Sequence, residues 1–414
     1  MTNVLQPGFP QKVRVTQVLL FVVMLAPVSL TVADDKVSAN YLFVCLLLSP
    51  LGFRHNYLAT AYIAFMVVSF MVGVAMFSQF EPDFIIRQAT SFFLALIAVL
   101  LLFVNLSVRL EELFLAIVLC AVAYSCCAIY MFGAGGFSLA DIYLVKGGLR
   151  EFITDWPQRY VIVLIFAFFI AIRRFASSIL WQCAVVPIVT CIFLTFTRAA
   201  WLATVAGLIV YFPLKKFIDR REAHHAGKKR YLVVYLGIAG LATLLVFAIR
   251  NPEIVSAAGT LTTNFFAVVQ TNPDEASANG SEGERLALYS SIIETIKANP
   301  LTGTGFAGAY LVIEGEGSAH GQYMDALLRT GVLGLIFYLF LWVKVLSAYW
   351  RTRPEVVAGL IAWFVFGFFH ETTKLSYGAL IFFVLLNKAY EPQLNSHIYR
   401  CRWVSLGRNP SCAA

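Results

Sequence analysis

The sequence predicts an all-α integral membrane protein of about twelve transmembrane helices, with one large loop on the outer face. Three observations lead there. Of the 414 residues, 60% are hydrophobic and 13% charged, whereas a soluble domain carries roughly 25% charged residues. Apolar runs recur along most of the chain, and a run of about 18 or more apolar residues crosses a bilayer. Lys and Arg collect in alternate connections between those runs, as they do on the cytoplasmic side of membrane proteins. With a mean hydropathy of +0.77, a soluble enzyme is excluded.

The expected spans follow in order. Val15 to Ala33 comes after Lys12 and Arg14 and has no small-residue cleavage site, so it reads as a retained helix. Tyr41 to Phe53 stops at Arg54, Tyr57 to Phe77 stops before Glu81 and Asp83, and Ser91 to Val108 stops at Arg109. Leu113 to Phe132 leads into a long connection from Gly133 to Arg159. Tyr160 to Ile172 ends at Arg173 and Arg174, Ile179 to Phe196 at Arg198, and Ala199 to Phe212 before Lys215 and Lys216. Tyr231 to Ile249 ends at Arg250. The last three are Val332 to Tyr349, Val356 to Phe369 and Leu375 to Lys388. Four regions result: helices in 1–249, a large outer loop with short helices in 250–325, helices again in 326–390, and a tail in 391–414.

With the N-terminus in the cytoplasm, Arg54, Arg109, Arg173–Arg174, the run Lys215 to Arg230, Arg351 with Arg353, and the tail with Arg400, Arg402 and Arg408 all fall on the cytoplasmic side. Asp34, Asp35, Glu81 and Asp83 fall on the other. This alternation fixes the orientation and places both termini inside. It also accounts for the net charge of +8 without a nucleic-acid partner. Six of the eight cysteines lie in apolar runs and two in the tail, a pattern that implies neither a disulfide framework nor a zinc site.

The outer loop from Arg250 to His320 holds three basic and eight acidic residues, which makes Arg285 a rare cation there. Within it, Gly283 to Ala298 reads as a helix, with Leu286, Tyr289, Ile293 and Ile296 at helical spacing. Asn299–Pro300 ends that helix, and Gly303, Gly305 and Gly308 mark a turn-rich stretch.

Three residues could carry chemistry. His320 stands where the loop re-enters the membrane, at the start of a helix. A helix N-terminus disfavours positive charge and so keeps an imidazole neutral, as a general base must be. The alternative is a histidine that anchors a loop at the interface. Arg198 lies between two spans with almost no loop; at that depth it faces a cavity or an anion, or it snorkels beside Trp201. Arg285 either binds an anion or pairs with Glu282 or Glu284. Two arginines can clamp a diphosphate with paired hydrogen bonds, and a neutral histidine can take a proton from a hydroxyl. Together they suit transfer of a group from a diphosphate to an alcohol. On the outer face the donor must be membrane-borne. Tyr289, one turn after Arg285, and Tyr323, three residues after His320, are supporting candidates. The acidic pairs Asp34–Asp35, Glu81/Asp83 and Glu314/Glu316 could hold a divalent cation, but such pairs are mostly solvated loop residues. No cofactor or metal is expected.

Several stretches resemble the O-antigen ligase and polymerase superfamily. His320-Gly321-Gln322-Tyr323, with Leu327, Gly331, Gly334 and Leu335 after it, resembles its histidine re-entry motif. Thr195-Phe196-Thr197-Arg198 resembles its arginine element before a span. Arg285, followed by Asn299-Pro300-Leu301-Thr302-Gly303-Thr304-Gly305, resembles its arginine helix and Pro-Leu-x-Gly-x-Gly turn. The likeness covers roughly residues 180 to 340. Two departures stand out: Gly321 replaces the asparagine that often follows the histidine, and both hydroxyl residues before Arg198 are threonine rather than serine.

The resemblance implies a GT-C-like glycosyltransferase of the bacterial inner membrane, inverting and metal-independent. His320 would be catalytic, and Arg198 and Arg285 would bind the donor diphosphate at the periplasmic face. The donor would be undecaprenyl diphosphate-linked O-antigen and the acceptor a sugar of lipid A–core. A single large outer loop favours a ligase over a polymerase, whose acceptor would be another lipid-linked repeat. A flippase or transporter is the alternative of another class; it should carry ionisable residues at mid-membrane and two related halves, whereas the mid-span segments hold almost no such residues and no related halves are visible.

Overall fold

The computed structural model describes residues 15–25, 29–32, 35–38, 57–76, 109–134, 157–195, 197–222, 281–305, 319, 321–370, 377–378 and 380–389. Its helices are α1 (Val15–Leu25), α2 (Tyr57–Met76), α3 (Leu110–Ala134), α4 (Pro157–Arg174), α5 (Ile179–Leu194), α6 (Arg198–Glu222), α7 (Ser281–Ala298), α8 (Gln322–Tyr349), α9 (Pro354–Phe366) and α10 (Leu380–Ala389). Strands β1 (Ser29–Val32) and β2 (Asp35–Ser38) form one antiparallel hairpin. Nine of the twelve expected spans meet a helix, and Tyr41 to Phe53, Ser91 to Val108 and Tyr231 to Ile249 lie outside the described residues. By length and apolarity, three of the described helices can cross a membrane: Leu110–Tyr130, Ala199–Asp219 and Gln322–Tyr349.

α4 lies at the centre of the bundle. It is apolar on every face, and each residue from Tyr160 to Ala171 is buried, as a helix surrounded by others must be. α3, α5 and α9 pack around it, and α9 runs along α6. Lipid tails are as apolar as leucine, so close packing rather than escape from water must join helices in a bilayer. The glycines show it. A Cβ on Gly207 of α6 would stand 2.9 Å from the Ala358 carbonyl oxygen of α9 and 2.4 Å from the Phe169 ring of α4. A Cβ on Gly359 of α9 would stand 2.9 Å from Phe166. Trp342 and Trp363 meet edge to face, with ring centroids 5.2 Å apart, and tie α8 to α9.

Two expectations need correction. The first span does not run to Ala33: its helix ends at Leu25, and the chain continues into the hairpin. Pro27 lacks an N–H and disfavours helix at the residue before it, and the alternating Leu30 and Val32 suit a strand. The hydroxyl of Tyr160 donates to the freed Leu25 carbonyl at 3.0 Å. α6, conversely, does not stop at Phe212 but continues through Pro213 to Glu222. Its buried stripe of Ala200, Ala203, Tyr211, Leu214 and Ile218 passes unbroken across the proline, and the packing outweighs the lost hydrogen bond. Lys215 and Lys216 therefore belong to the last turns of a helix.

One end of the bundle gathers the start of α3, the end of α4, the end of α6 and the start of α9. Arg173 pairs with Asp219 at 3.0 Å and approaches Glu355 at 3.9 Å. Arg353 pairs with Glu111 at 3.0 Å and with Glu355 at 3.5 Å. Arg174 also pairs with Glu111 and covers the Trp181 ring. Burial alone would lower the pKa of Arg173, but the hydrogen bond to Asp219 and the charges of Glu355 and Asp219 outweigh it and raise the value. These are helix ends that the charge pattern assigns to one side, and the structure groups them.

Candidate active site

At the opposite end, α5 turns into α6 with hardly a loop. The Thr195 hydroxyl donates back to the Ile192 carbonyl at 2.7 Å, and the Thr197 hydroxyl donates to the Thr195 carbonyl at 3.0 Å. The Trp201 indole donates to the same Ile192 carbonyl at 3.2 Å and stacks on Phe193. The Ile192 carbonyl of α5 and the Thr195 carbonyl just after it are thus taken by side chains of the turn and of the first turn of α6. The Thr197 carbonyl accepts the first helical bonds of α6, from Ala200 and Trp201. Arg198 is the first residue of α6, held in place by a turn in which both threonines are buried.

α7 brings Arg285 and Tyr289 to the re-entry. It spans Ser281–Ala298, two residues longer at its start than the sequence suggested. Its buried stripe is Leu288, Ile292 and Ile296, whereas Ile293, expected inside, is 46% exposed. Ile296 belongs to both the expected and the observed stripe; Ile293 turns outward because the partner surface comes from α8 and Ala319, which only the fold reveals. Leu288, Ile292, Ile296, Ala319 and Leu328 make a small core, with Tyr289, Met324 and Leu327 packed on it.

Between α7 and α8, the glycine turn is grafted into a break in α8. Gly331 has a φ of +65° and interrupts the helix, and Gly303 (+63°) and Gly305 (+67°) share that left-handed conformation. In an unbroken helix Leu328 would accept from the amide of Val332. Instead the Val332 amide donates to the Pro300 carbonyl at 2.8 Å. The Leu328 carbonyl accepts from the Thr304 amide at 2.8 Å and from its hydroxyl at 2.9 Å. The next open carbonyl, of Arg329, accepts from the Ser69 hydroxyl of α2 at 2.9 Å. A Cβ on Gly303 would lie 2.4 Å from the Leu328 oxygen, and one on Gly305 2.5 Å from Gly73 Cα of α2. The turn-rich stretch is therefore a three-way joint of α2, the turn and α8.

His320 lies outside the described residues, but both its neighbours are placed. Ala319 is fully buried in the small core against α7. Gly321 begins α8 in extended conformation, φ −152°, and a Cβ there would meet the Tyr289 hydroxyl at 2.8 Å. That hydroxyl donates to the Phe368 carbonyl at 3.3 Å. The Gln322 amide donates to the Gly367 carbonyl at 2.7 Å, and the Tyr323 hydroxyl donates to the Phe364 carbonyl at 2.7 Å. The start of α8 is therefore fastened to the end of α9 on one side and to α7 on the other. Position 285 stands one turn before Tyr289 on the same helix face.

Of the expected site residues, the structure brings the α7 segment with Arg285 and Tyr289 against the 319–323 re-entry, with Tyr323 packed under it. Arg198 stands at the same end of the bundle. Of the acidic pairs, Asp35 begins β2, and Asp34, Glu81, Asp83, Glu314 and Glu316 lie outside the described residues. Sequence reasoning missed Ser69 and Thr304, and also a buried ion pair in α8: Arg329 Nε to Asp325 Oδ1, 2.8 Å, each side chain 9% exposed. The signal for the pair was present, an acid and a base four residues apart in an otherwise apolar helix.

Residues 183–339 match the O-antigen ligase family. The matched segment starts inside α5 and takes in α6, α7, the glycine turn and most of α8, which are the elements that build this end of the bundle. The match covers the segment in which the sequence resemblance was seen. No individual curated protein matched the chain.

Proposed function

We propose that the chain is an O-antigen ligase. It transfers a preassembled O-antigen from undecaprenyl diphosphate to a sugar hydroxyl of lipid A–core, at the periplasmic face of a bacterial inner membrane. The observation that carries this reading is the seating of α7 against the residues on both sides of position 320, inside the segment that matches the family. It gives an arginine-bearing helix and a histidine-bearing re-entry one shared footing.

In the proposed step His320 takes the proton of the acceptor hydroxyl. The oxygen attacks the anomeric carbon of the glycan, the bond from that carbon to the diphosphate oxygen breaks, and undecaprenyl diphosphate leaves with the electron pair. Attack from the face opposite the leaving group inverts the anomeric centre. Arg198 and Arg285 neutralise the charge that grows on the diphosphate, so neither metal nor cofactor is required. Tyr289 and Tyr323 support the site from α7 and from the first turn of α8.

The lipopolysaccharide of a deletion strain tests the reading. Core without a ladder, together with glycan accumulated on the polyprenyl carrier, is expected; core bearing one repeat would make the protein a polymerase instead. Complementation with His320→Gln, which cannot accept the proton, should lower transfer by roughly 10²–10⁴-fold. Near-wild-type turnover in that variant would remove the general-base role.

A further inference from the structure

We propose that the Tyr289 hydroxyl is a positioning residue, setting the path of the chain at His320 by occupying the space beside Gly321. This rests on the ligase reading above. Three observations carry it. First, Gly321 has an ordinary extended backbone, so nothing in its conformation demands glycine. What demands it is space: a Cβ would lie 2.8 Å from the Tyr289 oxygen and 3.0 Å from the Phe368 oxygen. The side chain absent from position 321 is replaced by a phenol reaching in from α7. Second, that phenol is itself held, donating to Phe368 at 3.3 Å, so it bridges α7 to the end of α9 directly over the start of α8. Third, Ala319, on the other side of His320, is buried among Leu288, Ile292 and Ile296 of the same helix. Both neighbours of His320 are therefore held by α7, and only the contact at Gly321 depends on a polar atom.

Tyr289 is four residues from Arg285, which puts both positions on one face. A displacement of the Tyr289 contact would change the spacing between the proposed diphosphate-binding helix and the proposed base. Misplacement by about 1 Å can cost roughly 10²-fold in rate, while donor affinity, which does not involve the base, is unaffected.

The test uses the full-length purified protein, a polyprenyl diphosphate-linked glycan and lipid A–core, with Tyr289→Phe, Gly321→Ala and the double variant. Tyr289→Phe should lower kcat about 10-fold with donor KM unchanged, and Gly321→Ala should lower it about 10²-fold. The double variant should recover to the level of Tyr289→Phe, because removal of the hydroxyl makes room for the methyl group. Wild-type kcat in Tyr289→Phe, or losses that multiply in the double variant, would overturn the proposal. Wild-type protein that transfers no glycan would instead overturn the ligase reading. The melting temperatures of the same four proteins then decide the contact: Gly321→Ala lowered and restored by Tyr289→Phe supports it, and no restoration sinks it.

Discussion

The two ends of the bundle are joined by different means. At the end with Arg173, Arg174 and Arg353, ion pairs cross between helices: α4 to α6, α4 to α9, and α3 to both α4 and α9. At the end with the glycine turn, the described ion pairs stay within single helices, Asp325 to Arg329 in α8 and Glu294 to Lys297 in α7. There the elements are joined through backbone groups: the amides of Val332, Thr304 and Gln322 donate to the carbonyls of Pro300, Leu328 and Gly367, and the Ser69 hydroxyl donates to the Arg329 carbonyl. Long charged side chains adjust when a neighbour shifts, whereas a backbone bond between two fixed elements tolerates only tenths of an ångström. The proposed site, with a base and two cations at set distances, calls for the second kind of support, and the segment that matches the family lies largely at that end.

The largest effect should come from breaking the joint. Gly331→Ala places a methyl group 2.4 Å from the Leu301 carbonyl, at a φ of +65°. The left-handed conformation costs roughly 1–2 kcal/mol, and overpacking adds about 1–3 kcal/mol. We expect a large drop in thermal stability of the detergent-purified protein and loss of transfer even where it folds. A variant with wild-type melting temperature would show that the turn can swing away from α8, and the joint would lose its place in the comparison.

A smaller effect is expected at the charged end. Glu355 is 4% exposed and faces both Arg173 and Arg353. Glu355→Gln keeps the shape and removes the charge, so about 1–3 kcal/mol of stability should be lost. Transfer should survive at temperatures where the variant stays folded, because this end holds no proposed site residue. Loss of transfer in folded Glu355→Gln would mean that the two ends are coupled through α9.

The charged end was the legible one. Charge writes itself into sequence: Arg109, Arg173, Arg174 and Arg353 announce which helix ends belong together, and they were found together. The starts of α6 at Arg198 and of α8 at Gln322 were equally readable, since an apolar run, a proline and a cation each leave a local mark, whereas α7 starts two residues before the expected Gly283. The joint was not readable. Gly303, Gly305 and Gly331 signal turns, but nothing local says that Thr304 takes the carbonyl Val332 abandons, or that Ser69, some 260 positions earlier, takes the next. The inward face of α7 was misjudged at Ile293 for the same reason: its stripe is set by Ala319 and Leu328, which the chain brings up only after the loop. The hairpin after α1 is hidden from hydropathy, because the apolar run continues past Leu25 and Pro27 alone marks the break.

The smallest effect should appear on α7 itself, where both kinds of contact occur on one helix. Lys297 and Glu294 form an ion pair in its last turns, with the side chains 65% and 67% exposed. In high dielectric such a pair is worth little, and ordering two long side chains offsets part of it. Lys297 also lies at the helix C-terminus, where a cation adds a few tenths of a kcal/mol at low salt and less at high salt. Lys297→Gln should therefore cost under about 0.5 kcal/mol, should be hidden by salt, and should leave transfer unchanged. Two turns earlier, Tyr289→Phe removes a single oxygen and no charge, yet is expected to slow transfer. Melting curves at low and high salt, alongside transfer rates for both variants, set charge against contact on the same element. If Lys297→Gln slowed transfer as much as Tyr289→Phe, α7 would be held by electrostatics rather than by its fit beside Gly321. The distinction drawn between the two ends would then fail on the one helix where both can be measured.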